Sequence, residues 1–136
     1  MIIADTSGLV AFFNRTEPAH EAVKRVVDRT GAPLVVSPYV IAELDYLIAT
    51  RVGVDVELAV LRELAGGAYD LAAFDLSALA AAAELIARYR DQAIGVTDAS
   101  IVVLADRYAT REVLTLDHRH FAVLRPVSGG RFKLLP

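Results

Sequence analysis

Short apolar runs alternate along the chain with longer stretches of helical periodicity. Met1-Ile-Ile-Ala4 is apolar and stops at an acid, Asp5, which predicts a buried strand. Asp5-Thr-Ser7 offers a helix cap, and Gly8 to Asn14 reads as a short helix. Pro18 sits at the start of a second helix, whose apolar stripe is Ala22, Val23, Val26 and Val27. Gly31 and Pro33 break the chain before a second strand, Leu34-Val-Val36. Ser37-Pro38 opens a helix to about Arg51, and Gly53-Val54-Asp55 starts another that Gly66-Gly67 stops.

The second half repeats the alternation. Tyr69 to Phe74 reads as a strand, and Asp75 to Arg90 as a helix rich in alanine, the strongest helix former. Thr97 is a cap candidate for a helix running through Tyr108. Glu112-Val-Leu-Thr-Leu116 predicts a strand ending at Asp117, and His118 to Leu124 a short helix. Gly129-Gly130 turns the chain into a last strand, Arg131 to Leu135. Strands separated by helices predict an α/β fold: a mainly parallel, twisted sheet of four to five strands with helices on both faces. No linker or repeat divides the sequence, so residues 1–136 are expected to form one domain.

Composition narrows the class. Hydrophobic residues make up 55% of the 136 and mean hydropathy is +0.44, enough for a sizeable core and incompatible with a disordered chain. The longest apolar runs, Ala78–Ala83 and Ile101–Ala105, fall far short of the roughly 20 residues of a membrane span. Asp5 interrupts the N-terminal apolar run and no basic residue precedes it, so no secretion signal is expected and the compartment is read as cytoplasmic. With no cysteine, disulfides, thiolate metal sites and cysteine nucleophiles are excluded.

Charge adds a tension. The net charge is −3, yet it divides into −6 over residues 1–100 and +3 over residues 101–136. Arg107, Arg111, Arg119, Arg125, Arg131 and Lys133, with His118 and His120 near them, make the C-terminal third the candidate contact for a polyanion. The chain as a whole is too acidic for one unless cations neutralise some of the acids.

Four acids stand in apolar company. Asp5 and Asp117 each follow an apolar strand, at the edge where open parallel sheets place their ligands. Asp98 shares a helical face with Ile101, Val102 and Ala105. Glu43 lies among Tyr39, Val40, Tyr46 and Leu47, although Asp45 has equally apolar neighbours and periodicity does not separate the two. Each acid also has a plain structural reading: Asp5 and Asp117 as helix caps, Asp98 as a favourable first-turn acid. Burying an unpaired carboxylate costs several kcal/mol. Several converging carboxylates therefore point to a hard divalent cation, Mg2+ or Mn2+, which takes oxygen ligands. One such ion moves the net charge to −1, and two to +1. The three histidines are too scattered for a zinc site, and His118-x-His120 reads as solvated or phosphate-facing.

Ile3-Ala-Asp5-Thr-Ser7, Ser37-Pro-Tyr-Val-Ile-Ala-Glu43-Leu, Thr97-Asp98-Ala-Ser-Ile101 and Leu114-Thr-Leu-Asp117-His-Arg-His-Phe121 together resemble the PIN domain. Within that superfamily the chain resembles the VapC toxins of bacterial VapBC toxin–antitoxin pairs, over essentially its whole length. The resemblance implies that Asp5, Glu43, Asp98 and Asp117 are the four acids of the active site, and so selects Glu43 over Asp45. It implies supporting hydrogen bonds from Thr6, Ser7 and Thr115. It further implies a metal-dependent endoribonuclease that leaves 3′-hydroxyl and 5′-phosphate ends on structured RNA, tRNA or rRNA. The expected state is a homodimer, and the expected partner a VapB-like antitoxin whose C-terminal segment covers the site.

Two readings of other classes stand beside it. A protein-binding module that keeps the PIN fold without catalysis would be expected to have lost one of the four acids. A receiver-type phospho-acceptor needs a lysine at a late strand end, whereas Lys24 falls in a helix and Lys133 beside the C-terminus. No residue in the sequence marks recognition of a 2′-hydroxyl, so a DNA phosphodiester stays open as a substrate.

Overall fold

The computed structural model describes residues 1–136. Five short strands form one parallel sheet: β1 (Ile2–Ala4), β2 (Val35–Val36), β3 (Asp70–Leu71), β4 (Glu112–Leu114) and β5 (Lys133–Leu135), in the order β3-β2-β1-β4-β5. Seven helices fill the intervals: α1 (Thr6–Phe13), α2 (His20–Arg29), α3 (Pro38–Arg51), α4 (Val54–Ala65), α5 (Leu76–Arg88), α6 (Val96–Arg107) and α7 (His118–Val123). A single 3-10 turn, Arg90–Gln92, joins α5 to α6.

The central strands are buried on both faces, as parallel sheets covered by helices require. Ile3, Ala4, Val35, Val36, Val113 and Leu114 are all inaccessible to solvent. Helix α6 is buried all round from Ala99 to Ala105 and packs against α5, α3 and β1. A helix apolar on every side belongs inside a core, and α6 serves as the internal prop of the sheet. Side-chain caps start four helices: Asp5 for α1, Ser37 for α3, Asp75 for α5 and Asp117 for α7.

Strand order fixes where a ligand can sit. β2 and β3 lie on one side of β1, and β4 and β5 on the other. The connections therefore reverse direction between β1 and β4, and at that switch point the strand C-termini leave a crevice. Asp5 follows β1 there, while Thr115 and Asp117 follow β4.

Element boundaries differ from the sequence reading in instructive places. The expected strand over 69–74 shrinks to Asp70–Leu71, an edge pair with only β2 to hydrogen-bond. The strand expected to reach Leu116 ends at Leu114, because Thr115 and Leu116 turn their polar groups toward the β1 end. Thr97 does not cap α6: Gly95 occupies that position, no side chain closes the turn, and the Thr97 carbonyl accepts from Ser100 Oγ (2.6 Å). Helix α2 begins at His20 rather than at Pro18.

Candidate active site

A cleft of about 260 Å3 opens at the switch point, and Asp5, Glu43, Asp98 and Asp117 all line it. Four separate elements bring them together: the β1 end, α3, the first turn of α6 and the N-cap of α7. Their burial is graded. Asp5 is 5% exposed, the Asp98 side chain 16% and the Asp117 side chain 36%, while Glu43 stands exposed at the mouth. The expectation of acids in apolar company thus holds for Asp5, and in part for Asp98. Glu43 faces the water in the cleft because α3 turns its apolar side, Val40, Leu44 and Ile48, into the core.

Asp5 is held on both oxygens. The Thr6 backbone N–H donates to Oδ1 (2.8 Å). The hydroxyls of Thr115 (2.7 Å) and Ser7 (3.3 Å) donate to Oδ2. Those hydroxyls are themselves positioned from the β4 exit: Asp117 N–H donates to Thr115 Oγ1 and Leu116 N–H to Ser7 Oγ, each at 2.9 Å. Thr6 contributes its backbone; its own hydroxyl is buried without a hydrogen-bond partner. The cap reading and the site reading of Asp5 are one arrangement, since a carboxylate that starts α1 also points into the crevice.

A second network sets α3 against α6. Tyr39 N–H donates to Ser37 Oγ (3.2 Å), the Ser37 and Ser100 hydroxyls meet at 2.7 Å, and Ser100 donates to the Thr97 carbonyl. Both serines are completely buried. The chain of hydroxyls ties the first turn of the helix carrying Glu43 to the first turn carrying Asp98.

His120 is the residue the sequence misplaces. Its Nδ1 lies 3.1 Å from Asp98 Oδ2 and 3.1 Å from Asp117 Oδ2, between the two carboxylates and not out in solvent. The signal was spacing: His120 is three residues from Asp117 on a short helix, hence on its cleft-facing side. Glu17 and Arg51 also line the cleft. Arg51 was legible as the end of an i, i+4, i+8 stripe, Glu43-Leu47-Arg51; Glu17 sits between α1 and α2, where no periodicity marks it. Asp45, the alternative to Glu43, points away from the cleft toward Glu57 of α4, whose carboxyl is raised above its ordinary range by hydrogen bonding with Asp45.

The electrostatics are those of crowded anions. Burial is the main force raising the Asp5 carboxyl above its ordinary range. The Thr115 and Thr6 hydrogen bonds oppose it, and repulsion from Asp117 and Glu43 adds to it. Asp98 is pushed up to about 6, first by burial and then by the Asp5 charge, with His120 pulling the other way. No arginine or lysine forms an ion pair with any of the four; the lysine and arginine pairs are Lys24–Asp28, Arg107–Asp75 and Lys133–Glu112. The uncompensated carboxylate oxygens suit a hard divalent cation, although no three acid or imidazole groups already stand at the spacing of a closed cage.

Much of the basic C-terminal third is spent on structure. Arg107 binds Asp75 and Ser77, Lys133 binds Glu112, Arg111 reaches Ser128, and Arg125 reaches the Ala122 carbonyl.

Comparison with known proteins identifies the family. The model of the PIN domain matches residues 2–125. The chain belongs to the PIN-domain family, and within it to the VapC ribonucleases. It is 59% identical over 135 residues, 99% of this chain and 100% of the relative, to Ribonuclease VapC26 of Mycobacterium tuberculosis (strain ATCC 25618 / H37Rv). Its fold is similar to the crystal structure of Mycobacterium tuberculosis VapC20, described as a sarcin–ricin loop cleaving toxin (TM-score 0.86, 18% identity, all of both chains). It is also similar to VapBC2 from Rickettsia felis bound to a DNA fragment from their promoter (TM-score 0.72, 16% identity, all of both chains). No helix is long and apolar enough to cross a membrane.

Proposed function

We propose that this protein is the toxin of a toxin–antitoxin pair, an endoribonuclease that cuts structured RNA in the cytoplasm and so arrests translation. The observation that carries this reading is the convergence of Asp5, Glu43, Asp98 and Asp117 on one cleft with no arginine or lysine paired to any of them. Asp5 and Asp98, the most enclosed, would hold Mg2+ or Mn2+, with Glu43 and Asp117 completing the set directly or through water. When bound, the cation supplies Lewis acidity that activates water toward a phosphodiester and offsets charge on the leaving oxygen. Ser7 and Thr115 keep the Asp5 carboxylate in one orientation through their hydroxyl donors. His120 places its Nδ1 between Asp98 and Asp117, 3.1 Å from an oxygen of each. The serine pair holds the Glu43 helix in register with the Asp98 helix.

Support for the toxin role comes from the 59% identity to a VapC ribonuclease and from the likeness to a toxin whose target is the sarcin–ricin loop. An antitoxin that covers the cleft and a homodimeric state belong to the same reading, the former supported by the likeness to the VapBC2 complex. The test is cleavage of total tRNA and rRNA by the purified protein with Mg2+, with EDTA, and after Asp5→Asn. Cleavage only by the unaltered protein with Mg2+ is expected; equal cleavage by Asp5→Asn would overturn the reading.

A further inference from the structure

The cleft is lined by five acids, among them Glu17, and a single arginine or lysine, Arg51. Arg51 ends α3, two helical turns beyond Glu43 on the same face, with Leu47 between them. An arginine beside so many carboxylates would be expected to close an ion pair, yet Arg51 has none with any acid and no side-chain hydrogen bond. The residue is exposed at the cleft wall, and none of its five guanidinium donors has a protein partner. A position in the last turn of α3 favours a cation through the helix dipole, but that preference does not require the side chain to line the cleft.

The substrate class supplies the reason. A phosphodiester strand entering this cleft is repelled by its five acids, and Arg51 is the one arginine or lysine in the lining to attract it. At 1.5 Å per residue, eight residues of α3 separate Glu43 from Arg51 by about 12 Å, the axial span of about three to four stacked nucleotides. Guanidinium forks match phosphate oxygens in two-pronged geometry. We infer that Arg51 grips a backbone phosphate of the RNA a few nucleotides from the scissile bond and sets the register in which the strand crosses the acids. Arg51 is thus a substrate-positioning residue; it contacts no reacting atom. The inference rests on the ribonuclease reading above and adds to it the path of the strand.

The experiment is steady-state cleavage of one RNA hairpin with Mg2+ over a series of salt concentrations, by the unaltered protein, Arg51→Ala and Arg51→Lys. Arg51→Ala should raise KM about tenfold with a much smaller effect on kcat. It should also make the slope of log(kcat/KM) against log salt shallower by about 0.7–0.9, the signature of one lost phosphate contact. Arg51→Lys, which keeps the point charge, should restore the slope and only part of KM. A purely structural role would lower thermal stability and leave the salt slope unchanged. If the unaltered protein cuts and Arg51→Ala shows its KM and slope, the assignment of Arg51 is overturned while the ribonuclease reading stands. If the unaltered protein cuts nothing, the ribonuclease reading fails and takes this one with it.

Discussion

Thr115 and Asp5 are 110 residues apart in the chain and 2.7 Å apart in the fold: the Thr115 hydroxyl donates to Asp5 Oδ2, while the same oxygen of Thr115 accepts the Asp117 N–H. One hydroxyl thus welds the β4 exit to the β1 exit and orients the most deeply buried acid of the cleft. Thr115→Val keeps the shape and removes the hydroxyl, leaving Asp117 N–H unpaired and Asp5 Oδ2 with only the longer Ser7 contact. A loss of about 1–3 kcal/mol in urea-unfolding free energy is expected. Ribonuclease activity should fall with it, and Thr115→Ser should recover most of both.

The Ser37–Ser100 contact makes a comparable prediction for the helix pair. Each serine is buried; Ser37 accepts from the Tyr39 N–H and Ser100 donates to the Thr97 carbonyl. Ser100→Ala should cost about 1–3 kcal/mol by stranding the Ser37 hydroxyl. Because both residues share one chain of bonds, the Ser37→Ala/Ser100→Ala double variant should lose less than the two single losses combined. Urea titration of the four proteins closes the cycle.

Gly8 is where α1 lies on β4. A β-carbon there would come within 2.6 Å of the Leu114 carbonyl oxygen and 2.9 Å of the Leu114 side chain. Backbone cannot swing aside as a flexible side chain can, so Gly8→Ala must push α1 off the β4 end, carrying Ser7 and Asp5 with it. Overpacking of this kind costs about 1–3 kcal/mol. Activity should fall further than stability alone accounts for, measured at a temperature where the variant is still folded by circular dichroism.

Asp75 gives a pH dependence away from the cleft. Its carboxylate caps α5 through the Ala78 N–H, accepts from Ser77, and meets Arg107 at the far end of α6. These contacts, the Ala78 N–H first, hold its carboxyl below the ordinary range. A carboxyl lowered in the folded state stabilises the fold at pH values above its ordinary range, and that stability is lost as pH falls through its folded value. Asp75→Ala should therefore unfold at lower urea than the unaltered protein at neutral pH. The gap should begin to narrow as the pH falls toward about 4 and close only below the folded value of Asp75.

Much of this site is legible in the sequence. Asp5 and Asp98 announce themselves because a charge inside Met1-Ile-Ile-Ala-Asp5 or beside Ile101 and Val102 breaks an apolar pattern. Glu43 does not, because an amphipathic helix puts acids and apolar residues side by side on both flanks. Only the family motif separates Glu43 from Asp45, and the fold places Glu43 in the cleft and Asp45 against Glu57. His120 is not legible because a basic run, His118-Arg-His120, reads as solvated until the short helix α7 turns one of its members inward. The parallel α/β class followed from the alternation of strands and helices. The order β3-β2-β1-β4-β5 did not, since two-residue strands such as Val35–Val36 carry no register of their own and take it from the helices packed over them.

The central claim is that the acids at the switch point gather to hold a divalent cation. Anomalous diffraction from crystals grown with Mn2+ tests it by position. The account predicts a manganese peak in contact with carboxylate oxygens of both Asp5 and Asp98, abolished in Asp5→Asn crystals. A cleft empty of anomalous density, or manganese seated only on acids elsewhere such as Asp45 and Glu57, would contradict it.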